Sequence, residues 1–266
     1  ELMTIDNLVN MDSRTVISGI SFGSYNSEII NFLNFIYKDS NDIKLKFLKS
    51  TLIEDNRFHT IENIITKLTH TKSNYDLFVK QIPLKSMMNW VINDNEILHE
   101  EQKYFKIIAV DVEIGNREVV RWHQPMVEPA QEGLCAFVCK EIEGMLHFAV
   151  QLKLECGNLD IIELAPTVQR LTGDYKKTEK HSLPFLDYIL NVDKKQIIFN
   201  TIQSEEGGRF YKEQNRNMIV LAGDELSIDL PENFIWMTLN QLHSFIKYNN
   251  FLNIQARNLI SLISFI

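Results

Sequence analysis

Residues 146–155 read Leu146-His147-Phe148-Ala149-Val150-Gln151-Leu152-Lys153-Leu154-Glu155. Apolar and polar residues alternate without a break, the period of a β-strand, whose successive side chains point to opposite faces. One face carries Leu146, Phe148, Val150, Leu152 and Leu154 and is expected to sit on a core. The other carries His147, Ala149, Gln151, Lys153 and Glu155, about 6.5–7 Å between successive members. A cation, an anion and an amide thus share one side of a sheet. That side is either a solvated exterior or the floor of a polar cradle.

Upstream, Glu143-Gly144 reads as a tight turn joining this strand to another at Gly133–Ile142. Tyr104–Ile114 is rich in Ile, Val and Phe and reads as a strand closed by Gly115-Asn116, with Glu118–Trp122 as its hairpin partner. Extended segments are expected at Ile161–Leu164 and Gln196–Gln203, and Arg216–Leu221 reads as the last clear strand. Helices are expected at Pro184–Leu190, Thr238–Tyr248 and Ala256–Ile263, with Thr238 and Gln241 forming a capping box. Residues 24 to about 75 carry helical apolar stripes (Ile29, Ile30, Leu33, Phe35, Ile36; then Ile61, Ile64, Ile65, Leu68) broken by the polar run 39–42. Mixed strands joined by hairpins, with helices at the ends, predict an α/β fold of the α+β sandwich kind, not a doubly wound parallel sheet.

The chain also repeats itself. Residues 1–22 align without a gap on residues 244–265: Asn7, Asn10, Arg14, Ile17-Ser18 and Ile20-Ser21-Phe22 fall on identical residues 243 positions later. The polar matches keep register, which two unrelated amphipathic ends would not be expected to do. The expected organisation is the tail of a preceding module (1–22), a helical connector (23–75) and one complete copy of a duplicated unit (76–266). The absence of Met at position 1 is expected of a piece cut from a longer protein.

The 266 residues are 45% hydrophobic and 23% charged, enough for a core without disulfides. No apolar run approaches the roughly 18 residues of a membrane-spanning helix, and no basic-then-apolar leader opens the chain. The net charge of −8 argues against a protein that coats nucleic acid. Cys135, Cys139 and Cys156 form no CxxC pair and offer too few ligands for zinc. Unpaired cysteines fit a reduced, cytoplasmic setting. Neither GxGxxG nor GxxxxGK[ST] occurs.

Three other segments are dense in amide, hydroxyl, guanidinium and aromatic groups. They are Trp122-His123-Gln124-Pro125, read as a loop; Asn158 with Thr167 and Gln169; and Gln203-Ser204-Glu205-Glu206-Gly207-Gly208-Arg209-Phe210-Tyr211 with Asn215-Arg216-Asn217. Amides and hydroxyls suit sugar oxygens, Arg suits a diphosphate, and Trp122 suits a stacked base. Each also has an ordinary use: Trp122 as core, Gly207-Gly208 as a turn, Arg209 and Arg216 as surface charges.

The stretches WHQPMVEPAQEG (122–133), KEIEGMLHFAVQLKLECGNLDIIELAPTVQ (140–169), QSEEGGRFYKEQNRNMIV (203–220) and LNQLHSFIKYNNFLN (239–253) resemble the NDP-hexose 2,3-dehydratases of deoxysugar biosynthesis. The likeness covers residues 76–266 as one module, and 1–22 as the tail of another. It implies a Nudix-related module with a mixed sheet flanked by helices, two such modules per chain, and a homodimer. It implies a dTDP-4-keto-6-deoxyhexose substrate, from which water is eliminated across C2 and C3. No Nudix box is present, so pyrophosphate hydrolysis and its metal are not expected, and the elimination calls for no cofactor. It needs a base for the C3 proton, donors for the enolate and an acid for the C2 hydroxyl. Glu155 is the first candidate base and Glu205 the second; Lys153 is a candidate enolate or diphosphate partner, and His147 a candidate acid. Trp122, Gln124, Gln151, Asn158, Thr167, Gln169, Tyr175, Ser204, Arg209, Tyr211, Arg216 and Asn217 are the candidate binding residues. A module that binds the sugar nucleotide or builds the dimer without catalysing stays open as a second reading.

Overall fold

The structure is a computed structural model. It describes residues 22–263 except 38, 40, 55, 56, 117 and 171–182, and only the backbone of 22–26. Tyr175 and most of the repeated N-terminal segment lie outside the described residues.

Three helices come first: α1 (Phe22–Ile36), α2 (Ile43–Leu52) and α3 (Ile61–Ser73). Asp42 caps α2 through its side chain, and Thr60 forms a reciprocal capping box with Asn63 on α3. Each satisfies backbone N–H groups that a helix start leaves without partners. Strands β1 (Trp90–Ile92), β2 (Glu96–His99), β3 (Phe105–Glu113) and β4 (Arg121–Pro129) follow. They form an antiparallel sheet in the order β1-β2-β3-β4.

The segment 122–125, expected as a loop, is therefore strand: β4 pairs with β3 from Arg121↔Glu113 to Pro129↔Phe105. Proline is tolerated here because β4 is an edge. Val127 turns its N–H and C=O away from β3, to the Arg209 carbonyl at 2.8 Å and the Tyr211 N–H at 2.7 Å. Pro125 and Pro129, two residues to either side, share that orientation, so the ladder with β3 loses nothing.

The main sheet contains β5 (Gly133–Ile142), β6 (Met145–Leu154), β7 (Ile162–Ala165), β8 (Val168–Arg170), β9 (Ile197–Ser204), β10 (Gln214–Ala222) and β11 (Phe234–Thr238). Its order is β11-β6-β5-β10-β9, with β7 on β6 and β8 on β5. Only β5 and β10 run parallel. The β5–β6 hairpin turns through Glu143 and Gly144, both at positive φ, as the right-handed twist of a two-residue turn demands. Helix α4 (Leu186–Asn191) follows β8, and α5 (Leu239–Ile246) and α6 (Ile254–Ser261) close the chain. The Thr238–Gln241 capping box is present on α5.

Helices cover both faces of this sheet. On one, Phe137, Cys139, Phe148, Val150, Leu152 and Ile219 pack with residues of α2, α3, α5 and α6. On the other, Leu134, Ala136, Val138 and Val220 pack with Leu186 and Ile189 of α4. Burial on both faces explains why β5 reads as a continuous apolar run rather than an alternation. The stretch expected as a connector contributes Phe47, Ile64 and Leu68 to the main core. β6 keeps its alternation, with two departures. Leu154 is exposed, and the opposite face is dry at its start, where Ala149 packs against Trp236.

Candidate functional site

Strands β5 and β6 pair only over Cys139–Ile142 and Met145–Phe148. Beyond that point they part, β6 pairing β7 and β5 pairing β8. Thr167 sits in the fork. Its hydroxyl donates to the Ala149 carbonyl on β6 and accepts from the Val138 N–H on β5 at 2.9 Å. The side chain expected to bind ligand thus bridges the two arms where their ladder ends.

Polar groups from both arms meet past the fork. Gln169 on β8 donates through Nε2 to Glu155 Oε1 at 3.2 Å, and its Oε1 accepts from Asn253 Nδ2 at 2.6 Å. Asn253 is fixed from behind: its Oδ1 accepts from Ala256 N–H and caps α6, and its own N–H bonds the Leu164 carbonyl. Lys153 Nζ lies 3.8 Å from Glu155 Oε1.

β9 and β10 add a second row. Asn217 lies opposite both Cys135 and Thr201, and Asn215 lies opposite Gln203. The same alternation puts Glu213 and Glu205 on this side, with the Glu205 N–H bonded to the Glu213 carbonyl at 3.0 Å. Asn215 Nδ2 donates to Glu205 Oε1 at 2.6 Å, while its Oδ1 is buried without a hydrogen-bond partner. Gln169, Glu213, Asn215 and Asn217 are 8%, 6%, 2% and 5% exposed. Burial places amides here that must find partners or leave a purpose to be explained.

The two rows share one electrostatic neighbourhood. Burial pushes the Cys135 thiol far up, Glu205, Glu155 and Glu213 add to the rise, and Lys153 opposes it. A thiol so held is neutral and unreactive. Glu213 is raised by burial first and by Glu205 second. This is a partly buried end of a sheet holding three carboxylates, one ammonium and four amides.

Other expected residues lie elsewhere. His147 is at the opposite end of β6. Its Nε2 accepts from the Phe58 N–H at 3.0 Å and its Nδ1 bonds the Met145 carbonyl at 2.9 Å. Burial lowers its pKa to about 4, so it is a neutral ring clamping the helical segment to the sheet, with no proton to spare for a substrate. Ser204 and Arg216 face the other side of the sheet. Arg216 pairs in register with Leu134 and is held by Glu132 and Asn200, both at 3.1 Å. Gln151 lies mid-strand between Phe234 and Ala165. Asn158 follows β6 in the turn closed by its N–H to the Glu155 carbonyl, with Nδ2 buried and unpaired.

Trp122 and Gln124 belong to the smaller sheet, yet Gln124 reaches the loop that leaves Glu205. Trp122 Nε1 donates to Gln124 Oε1 at 2.7 Å, and Gln124 Nε2 donates to the Gly208 carbonyl at 2.8 Å. Tyr211 is tied to Val127 through its backbone, and Lys212 Nζ lies 5.0 Å from its ring centre. Arg209 is 75% exposed on its side chain and paired with Glu206. A cleft of about 320 Å³ on the smaller sheet is lined by Glu96, Lys106, Glu128 and their neighbours. Both carboxylates already hold Lys106, at 3.3 and 3.1 Å, so the cleft offers an anion no free cation.

Glu213 and Asn253 are not singled out by the sequence, and Asn215 only as a member of the polar stretch 215–217. Starting the last strand at Arg216 hid the alternation Glu213-Asn215-Asn217-Ile219, whose polar members sit on the core side. Asn253 did leave a trace, as one of the polar positions matched in the repeat.

A mixed α/β module with a carboxylate- and amide-lined end is thus the class that fold and site define. A profile of the NDP-hexose 2,3-dehydratase family matches residues 61–263, and the chain belongs to that family. It is 37% identical over 263 residues to the dTDP-4-dehydro-6-deoxy-alpha-D-glucopyranose 2,3-dehydratase of Streptomyces violaceoruber, covering 98% of this chain and 54% of that one. Against the protein of the same description from Saccharopolyspora spinosa the identity is again 37%, over 98% of this chain and 52% of that one. The chain spans about half the length of the curated relatives it matches. Among solved structures it superposes on an ADP compounds hydrolase with a TM-score of 0.39 at 14% identity, over 59% of this chain and 83% of that one. For a Nudix hydrolase from M. smegmatis the TM-score is 0.32 at 12% identity, over 57% and 92%. Likenesses this loose decide nothing about chemistry. Among the described residues no helix is long and apolar enough to cross a membrane.

Proposed function

We propose that this chain is a sugar-nucleotide 2,3-dehydratase module acting on a dTDP-4-keto-6-deoxyhexose in deoxysugar biosynthesis. The observation that carries the reading is the convergence of Lys153, Glu155 and Gln169 with Glu205, Asn215 and Asn217 at one end of the sheet, in a chain of this family. The 4-keto group acidifies the C3 proton, and a carboxylate held in place takes it. Glu155 fits that role: the Gln169 amide holds its Oε1 in place, with the Lys153 ammonium beside it. Lys153 then faces the negative charge that develops on O4. Asn217 and Gln169 are suited to sugar hydroxyls. Three carboxylates against one ammonium make a poor diphosphate seat, so the sugar ring belongs here. Trp122, Tyr211, Arg209 and Lys212, along the loop towards β4, suit the base and diphosphate.

The setting is read as cytoplasmic and the assembly as a homodimer, with no nucleic-acid partner. The test is incubation of the chain with the 4-keto sugar nucleotide, following by mass spectrometry the loss of one water and the appearance of the 3,4-diketo-2,6-dideoxy sugar. Tight binding without product would favour the other reading, a module that holds the sugar nucleotide while chemistry occurs elsewhere in a longer protein.

A further inference from the structure

We propose that Glu213 is the acid of this site, delivering to the departing C2 hydroxyl a proton that it holds beside Glu205. The inference deepens the dehydratase reading and stands on it.

Three observations carry it. Glu213 and Glu205 close the mouth of the β9–β10 ladder directly opposite one another, joined by the Glu205 N–H to the Glu213 carbonyl. Like charges so placed repel unless one is neutralised. The two are not solvated alike. Glu205 accepts a hydrogen bond from Asn215 Nδ2 at 2.6 Å. The Glu213 side chain is buried and makes no hydrogen bond or ion pair among the described residues. Glu213, buried, without a partner and facing Glu205, is thus placed to take up a proton, and burial first and Glu205 second push its pKa upward. Finally, Asn215, two residues along on the same face, has a buried Oδ1 without a hydrogen-bond partner. An acceptor with nothing to accept beside a carboxylic acid is what a hydroxyl-bearing ligand would complete: the hydroxyl donates to Asn215 and receives from Glu213.

The step balances. Glu155 takes the C3 proton, and the C–H electron pair passes into the enolate. The pair then forms the C2–C3 double bond as C2–O breaks. The oxygen leaves with its bonding pair, picks up the Glu213 proton and departs as water. Glu213 is left as carboxylate, and solvent carries the proton on Glu155 back to it. The groups around this end are Glu205 just past β9, Lys153 on β6 and Glu155 just past it, the neutral Cys135 thiol of β5, and, next to Lys153 and Glu155, Glu163 of β7 with Arg257 of α6 beside it.

The test compares two substrates in the full chain: the 4-keto sugar nucleotide and its 2-deoxy-2-fluoro analogue, whose fluoride leaves without a proton. Exchange of the C3 hydrogen with deuterated solvent, read by NMR, follows the base step by itself. Glu213→Gln is expected to slow water loss by about 100-fold or more, to leave fluoride release within about 3-fold of the parent, and to keep C3 exchange. Equal loss on both substrates would overturn the assignment. If Glu213→Gln fails to fold, pH profiles of the parent protein decide: an alkaline fall in turnover seen with the hydroxyl substrate and absent with the fluoro substrate supports the acid, and identical profiles overturn it. A parent protein that binds both compounds and converts neither refutes the dehydratase reading itself, and this assignment with it.

Discussion

On the face of the main sheet that packs under α2, α3, α5 and α6, the two ends do opposite things. At one end β5, β6 and β10 contribute Phe137, Phe148 and Ile219, packed under helices. At the other, β8, β9 and β10 present Gln169, Glu205, Glu213, Asn215 and Asn217, and β6 runs out into Glu155. The change happens within two residues, from Ile219 to Asn217. Apolar burial at the first end is what allows polar groups to stay half-dry at the second. Thr167 marks the boundary, where the sheet opens.

Substitutions that separate the two ends test this division. The largest effect is expected at the polar end. Glu155→Gln removes the proposed base and should lower turnover by about 10²–10⁴-fold, with nucleotide affinity and melting temperature close to the parent; steady-state kinetics and isothermal titration would show it, and near-normal turnover would remove Glu155 from the role. At the apolar end Phe148→Ala should cost about 3–5 kcal/mol of stability in urea unfolding, while substrate affinity in the surviving folded fraction is kept.

His147 makes the apolar end pH-sensitive. Its folded pKa of about 4 lies below the roughly 6.5 of a free imidazole. The unfolded chain therefore gains a proton that the folded chain refuses. Stability is full above about pH 6.5 and declines as pH falls towards 4, by about 3 kcal/mol from this group. Urea midpoints across that range should fall, and less steeply in His147→Gln. At the boundary, Thr167→Val leaves the Val138 N–H and Ala149 carbonyl without their shared partner, for about 1–3 kcal/mol. It should also raise hydrogen exchange at Val138 before it changes anything near Phe148. Smallest is Arg209→Ala, which removes an ion pair fully open to solvent screening; the urea midpoint should be unaltered.

The sequence made β6, the 143–144 turn and the Thr238 cap legible because each depends on neighbours in the chain. Period-two patterning, two positive φ angles and a threonine three residues before a glutamine are local signals. β11 has no such signal: Phe234–Thr238 is buried throughout, and a short run without alternation does not declare its period. The first half of β4 reads as a loop in sequence because two prolines count against a strand unless the strand is known to be an edge. In the site, Glu155, Lys153 and Gln169 were legible from motif and alternation. Arg216 and Ser204 were not separable from Asn217 without the register, since a shift of one residue moves a side chain to the other face. His147 looked like a functional group, but what fixes it, the Phe58 N–H, comes from 89 residues away.

The two prolines of β4 have a further effect. An open sheet margin invites a stranger's backbone to add itself as one more rung, the first step of many aggregates. From Pro125 to Pro129 that margin has only one outward amide hydrogen, on Val127, and the chain's own Arg209 carbonyl already occupies it. The smaller sheet is thereby protected from uninvited pairing along this stretch without spending a single charged side chain on the task.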